Sequence, residues 1–193
     1  MQAVEMLNDT TADMFEINIS CPNVKEGGIA FGQNPDALFE ITKEIKKHAK
    51  QPIIMKLSPN VTSIAEMARA AEAAGSDAIS LINTITGMKI DIYKKTFAIA
   101  NKTGGLSGPA IKPVAVRMVY EASNAVKIPV IGMGGIATAE DAIEFMLAGA
   151  SAVAVGAMNF HDPYATIGVI EGIERYLEEQ KIADINEIIG AVK

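Results

Sequence analysis

Short β-branched runs alternate with amphipathic helical segments along this chain, and that rhythm leaves few folds open to it. Met14-Phe15-Glu16-Ile17-Asn18-Ile19 reads as a first strand. Asn34-Pro35 then opens a helix, with Asn as cap and Pro at the first helical position. Leu38, Ile41 and Ile45 form its apolar face. Residues 52–57 read as the second strand, and Ser63-Ile64-Ala65-Glu66 as a capping box. The helix behind that box places Ile64, Met67, Ala68 and Ala71 on one side. Residues 78–82 read as the third strand, followed by a long excursion over 83–107 with a small hairpin around 90–100. A helix over about 111–126, a strand over 129–133 and a helix starting at Thr138-Ala139-Glu140-Asp141 come next. Residues 152–155 form the fifth strand, and Asp162-Pro163 is expected to cap a long last helix reaching about residue 180, with a short helical tail beyond.

Strands alternating with helices argue for a parallel sheet with right-handed crossovers. Two architectures satisfy this, a doubly wound open sheet and a (β/α)8 barrel. A nucleotide-binding open sheet puts its glycine fingerprint after the first strand. Here the glycines come after the fourth and fifth strands, where barrels place a phosphate site behind their last two strands. The fold class expected is therefore α/β, a TIM barrel represented by strands four to eight with their helices. On this reading 1–193 is a single domain, the C-terminal part of a barrel, and residues 1–7 end the helix before strand four.

With 49% hydrophobic and 21% charged residues, the composition is that of a soluble globular protein rather than a disordered chain. The net charge of −6 and the absence of a basic face speak against nucleic acid as a partner. No apolar stretch approaches the roughly 18 residues of a membrane span, and residues 1–5 do not resemble a secretory leader. The single cysteine, Cys21, excludes an internal disulfide framework. His48 and His161 lie far apart and read as surface or loop residues, and no metal constellation is visible. A reducing, cytoplasmic setting is expected.

The unusual residues cluster by position. Cys21, Lys56, Asn83, Gly134-Gly135 and Gly156 each lie at or just past the C-terminal end of an expected strand, which in a barrel is the active-site face. Asn18 can donate and accept at once, which suits a planar amide or imide. Cys21 can take a proton as a thiolate, or can be a small buried hydrophobe. Lys56, inside an apolar strand, needs an anionic or electron-rich partner unless it snorkels to solvent. Gly134-Gly135-Ile136 and Val155-Gly156-Ala157 offer unobstructed backbone N–H groups ahead of helical turns, suited to an anion. Tight turn geometry is the alternative explanation for such glycines. Gly104-Gly105-Leu106-Ser107-Gly108 adds a third glycine-rich loop. Met67, Met118 and Met146 read as core filler.

Asn18-Ile19-Ser20-Cys21-Pro22-Asn23 followed by Val24-Lys25-Glu26-Gly27-Gly28 resembles the active-site loop of class 1 dihydroorotate dehydrogenases, and most closely the NAD-linked class 1B catalytic subunits. Lys56-Leu57-Ser58-Pro59-Asn60-Val61, Ile82-Asn83-Thr84, Gly104 to Ala110, Gly132 to Ile136 and Val155 to Phe160 agree in order. The resemblance implies an FMN-containing barrel that oxidises dihydroorotate to orotate in pyrimidine biosynthesis. It implies that Lys56 contacts the flavin ring, with Asn18 and Ile82 lining the flavin site. Gly108, Gly134, Gly135, Gly156 and Ala157 would hold FMN by backbone groups, the last four at its phosphate. Asn18, Asn83 and Thr84 would hold the pyrimidine, and Cys21 would take the C5 proton as hydride leaves C6. Ala157 stands where the family usually has threonine. The same resemblance implies an iron–sulfur flavoprotein electron-transfer subunit as partner, and homodimerisation. Two other readings remain: a related flavoprotein acting on uracil-like rings, and a catalytically inactive piece of barrel.

Overall fold

The computed structural model describes residues 1–19 and 32–192. Cys21, with the sequence from Ser20 to Gly28, lies outside the described residues. Five strands form one parallel sheet: β1 (Phe15–Asn18), β2 (Ile53–Lys56), β3 (Ala78–Leu81), β8 (Val130–Met133) and β9 (Ala152–Ala154), adjacent in that order. Helices connect them: α1 (Gln2–Leu7) precedes β1, α2 (Pro35–His48) precedes β2, and α3 (Ile64–Ala73) precedes β3. Further along come α4 (Lys112–Ser123) before β8, α5 (Ala139–Leu147) before β9, and α6 (Ala165–Gln180) after it. Spatial order equals chain order, which is barrel winding rather than the reversal of a doubly wound sheet.

Alternation along the strands gives the sheet two unlike faces. Ile53, Met55, Ile79 and Leu81 are fully buried against the helical layer, where Leu38, Ala68, Val119 and Phe145 are buried as well. Gly132 belongs to that layer, since a Cβ there would come within 2.6 Å of the Phe145 ring. The alternate positions, Glu16, Asn18, Lys56, Ser80, Ile131 and Met133, share the other face, with Asn18, Lys56 and Ser80 side by side in register. Polar groups thus collect on the face opposite the helices. Met67, Met118 and Met146 are core residues, as their helical spacing implies.

The expected caps form. Asn34 Oδ1 accepts the amides of Asp36 and Ala37 at 2.9 and 3.1 Å, and Ser63 Oγ accepts that of Glu66 at 3.3 Å. Thr138 and Asp141 make a full capping box on α5. Two local expectations are corrected and one is extended. The last helix starts at Ala165, because Asp162 Oδ1 closes a turn on the Tyr164 amide at 2.9 Å and a 3-10 turn occupies Ala157–Phe160. The small hairpin expected around 90–100 forms, with β5 (Ile90–Asp91) pairing with β6 (Thr96–Phe97), and a further ladder not anticipated pairs β4 (Ile85–Met88) with β7 (Thr103–Leu106) below it. Gly104 and Gly105 are consequently strand residues rather than a flexible loop, and a Cβ on Gly105 would overlap the Thr84 side chain. Among the described residues, no helix is long and apolar enough to cross a membrane.

Candidate active site

The C-terminal ends of the five strands open on a cavity of about 930 Å³, within the size range of cofactor and substrate sites. Lys56, Ile82, Asn83, Thr84, Gly108, Gly134, Gly135, Gly156 and Ala157 all line it, so nine of the sequence-selected positions meet in one place. Asn18 joins them from the rim, where its Oδ1 accepts Asn83 Nδ2 at 3.1 Å.

The lysine in the apolar strand has its anion. Lys56 Nζ lies 3.7 Å from Glu16 Oε2, and the lysine side chain retains only 22% exposure. Glu16 Oε1 also accepts the hydroxyl of fully buried Ser80 at 2.6 Å. Glu16 was not singled out from the sequence, although it lies two positions before Asn18 and so on the same strand face. Met158, Phe160 and His161 also line the cavity. His161, read from sequence as a surface or loop residue, is an exposed residue of this wall.

The polar end of the cavity, at Asn83 and Thr84, is braced from behind. Asn83 N donates to Leu57 O at 3.1 Å and Asn83 Oδ1 accepts the Thr84 amide at 2.8 Å. Asn60 Nδ2 donates to Thr84 O at 3.1 Å while its Oδ1 accepts the Thr86 amide at 3.0 Å, fixing the base of the excursion to the loop after β2.

The glycine loops divide into two kinds. Gly134 and Gly135 have φ of +126° and +84°, and a Cβ on Gly135 would sit 2.9 Å from both Gly108 O and Lys112 Cβ. Packing and backbone conformation already require glycine there. Gly156 is different: its φ is −105°, and a Cβ would meet nothing within 4 Å. Its missing side chain leaves open space in the cavity. Among the described residues, the amides of Gly135, Ile136, Gly156 and Ala157 enter none of the turn, loop or cap hydrogen bonds. By contrast, the amides of Ala137 and Thr138 are taken by Asp141 Oδ2 at 2.9 and 3.0 Å. The amides of the two glycine segments are thus donors available to an anion.

Behind these loops, Lys112 Nζ binds Asp141 Oδ1 at 2.7 Å and Glu144 Oε2 at 2.6 Å, tying α4 to α5. Burial opposes the charge on Asp141, but the Lys112 ammonium and the Ala137 and Thr138 amides outweigh it and hold the carboxyl below its usual range. The hydrogen bonds to Asp141 and then Glu144 raise Lys112 above the usual lysine value.

Parallel β/α units wound in chain order, with a cavity at their C-terminal strand ends, define part of a β/α-barrel. The dihydroorotate dehydrogenase family model matches residues 1–177, and the chain belongs to that family. It is 65% identical over 193 residues to the dihydroorotate dehydrogenase B (NAD(+)) catalytic subunit of Lachnoclostridium phytofermentans, covering 100% of this chain and 64% of that protein. It is 61% identical over 189 residues to the protein of the same name from Alkaliphilus oremlandii, covering 98% and 63%. The chain thus spans a little under two thirds of the length of these relatives. Among solved structures, a DHODH from Eimeria tenella in complex with ferulenol superposes with a TM-score of 0.81 at 24% identity, over 98% of this chain and 56% of that one. That likeness establishes the fold.

Proposed function

We propose that the full-length protein containing this chain oxidises dihydroorotate to orotate in pyrimidine biosynthesis, in the cytoplasm, on an FMN bound in the strand-end cavity. The observation that carries the reading is the convergence of Lys56, Asn83, Thr84 and the two amide-bearing glycine segments on one cavity. The residues fit the cofactor. Gly156 leaves space that no protein atom fills, and the neighbouring amides suit a phosphate.

Gly108, Gly134, Gly135, Gly156 and Ala157 would hold FMN through backbone groups, the last four at the phosphate, with Lys56, Asn18 and Ile82 at the ring. FMN supplies an acceptor for the two electrons that leave C6 as hydride. Asn18, Asn83 and Thr84 hold the pyrimidine by amide and hydroxyl contacts. Cys21 takes the C5 proton on its sulfur, so that loss of proton and hydride leaves the C5–C6 double bond of orotate. A thiol must ionise to act as base, and the free value of about 8.5 makes the oxidation rise with pH through that ionisation. The relatives' designation as a catalytic subunit supports a separate partner subunit; the reading makes that partner an iron–sulfur flavoprotein that takes the electrons onward, and the catalytic core a homodimer.

The test is anaerobic mixing of the full-length protein with dihydroorotate, followed at the flavin absorbance. Cys21→Ala is expected to keep its flavin and to reduce it roughly two to four orders of magnitude more slowly, with Cys21→Ser nearly as slow. Near-normal reduction in Cys21→Ala refutes the base, and a colourless parent protein refutes the cofactor. Faster turnover with dihydrouracil than with dihydroorotate would favour the uracil-type reading.

A further inference from the structure

We infer that Glu16 is a positioning residue that fixes Lys56 and sets how much of its positive charge reaches the cofactor, an inference that rests on the flavin reading above. Glu16 and Lys56 come from neighbouring strands and project from the same sheet face into the cavity. The carboxylate is divided between two duties. Oε1 is held by the hydroxyl of buried Ser80 at 2.6 Å, which orients it, while Oε2 faces Lys56 Nζ at 3.7 Å. Ser80 stands in register with Lys56 on the third strand, and Glu16, whose register partner on β2 is Ile54, reaches both from two residues before that row. Lys56 lines the cavity at the end of a strand whose other residues, Ile53, Ile54 and Met55, are buried. Among the described residues Glu16 is its ion-pair partner.

The physical consequence follows from Coulomb interaction in a cavity of low polarity. A cation beside an electron acceptor favours the reduced, more electron-rich form, and a nearby carboxylate offsets that effect. Glu16 therefore restrains Lys56 in place and lowers its pull on the acceptor. Gln at position 16 keeps an oxygen for the Ser80 hydroxyl and nearly the same shape while removing only the charge, so a merely structural role would survive that change.

Two measurements on the full-length protein decide the matter. The first needs no flavin: competitive acetylation of flavin-free protein, read at Lys56 by mass spectrometry. Glu16→Gln is expected to speed acetylation several-fold and Glu16→Asp to leave it close to the parent rate. An unchanged Lys56 rate in Glu16→Gln overturns the pairing. The second is the reduction potential of the bound flavin. Glu16→Gln is expected to shift the oxidised-to-reduced equilibrium about tenfold toward reduction, which is about 30 mV for two electrons, with flavin content unchanged. The same substitution made together with Lys56→Met should add no further shift. A potential that does not move in Glu16→Gln, or moves equally without Lys56, overturns the role of Glu16 through Lys56. A parent protein without flavin overturns the cofactor reading and the tuning with it, and the acetylation rates then decide the ion pair separately.

Discussion

Asn83 Nδ2 donates to Asn18 Oδ1 across 3.1 Å, joining two residues 65 positions apart. The strands that carry them are not neighbours, since β2 with Lys56 lies between. The bond therefore passes over the end of β2 and fixes two side-chain amides at one edge of the cavity. Under the proposed function this edge holds the pyrimidine ring.

Asn83→Ala in the full-length protein should weaken orotate binding about five- to thirtyfold, the value of one or two hydrogen bonds at about 1 kcal/mol each. Flavin content should not change. Titration of the flavin spectrum with orotate measures both. Unaltered affinity would remove Asn83 from the substrate site.

Gly156→Ala separates cofactor binding from folding. A Cβ there meets no protein atom within 4 Å, so the flavin-free protein should lose less stability than with a Cβ at crowded Gly135. FMN retention should fall, because the added methyl occupies the cavity. Gly135→Ala should instead destabilise the apoprotein by about 1–3 kcal/mol, given φ of +84° and overlap with Gly108 and Lys112. Calorimetry with flavin quantitation distinguishes the two. Full FMN content in Gly156→Ala would contradict the phosphate assignment.

The Lys112–Asp141 contact gives a pH signature. Asp141 has a folded value below its unfolded one, so the stability it contributes is complete above about pH 4 and is lost as pH falls through the folded value. Lys112, shifted upward, contributes fully below its unfolded value of about 10.4 and loses that contribution as pH rises through its folded value. Asp141→Asn should cost about 1–2 kcal/mol near neutrality, from the weakened cap and ion pair. It should also flatten the acid limb of stability. Urea unfolding from pH 7 to 3 checks this, and parallel curves for variant and parent would refute it.

Among the described residues β1 and β9 each have a single strand neighbour, which leaves two backbone edges without a ladder partner in the sheet. Such edges template association. The 193-residue chain expressed alone should therefore self-associate, and extension to the length of its relatives should suppress this. Light scattering after size exclusion reads the outcome, and a monodisperse monomer of the short chain would contradict it.

The sequence by itself determined the local elements and much of the site's membership. Asn34-Pro35, Ser63 and Thr138 mark helix starts because a capping side chain or a fixed φ acts within a few residues. Strand-end positions of Lys56, Asn83, Gly134 and Gly156 were legible because β/α winding sends every strand end to one mouth. Tertiary structure alone decided the partnerships. Glu16 looks like any charged strand residue until β1, β2 and β3 lie side by side and Ser80 turns its carboxylate toward Lys56. Gly104 and Gly105 look like a loop until Thr84 packs against their ladder. Gly135 and Gly156 look alike until their surroundings show one filled by Lys112 and the other open. The reason is range: caps and alternation are set by neighbours in sequence, whereas a charge's partner or a glycine's necessity depends on atoms brought near only by folding.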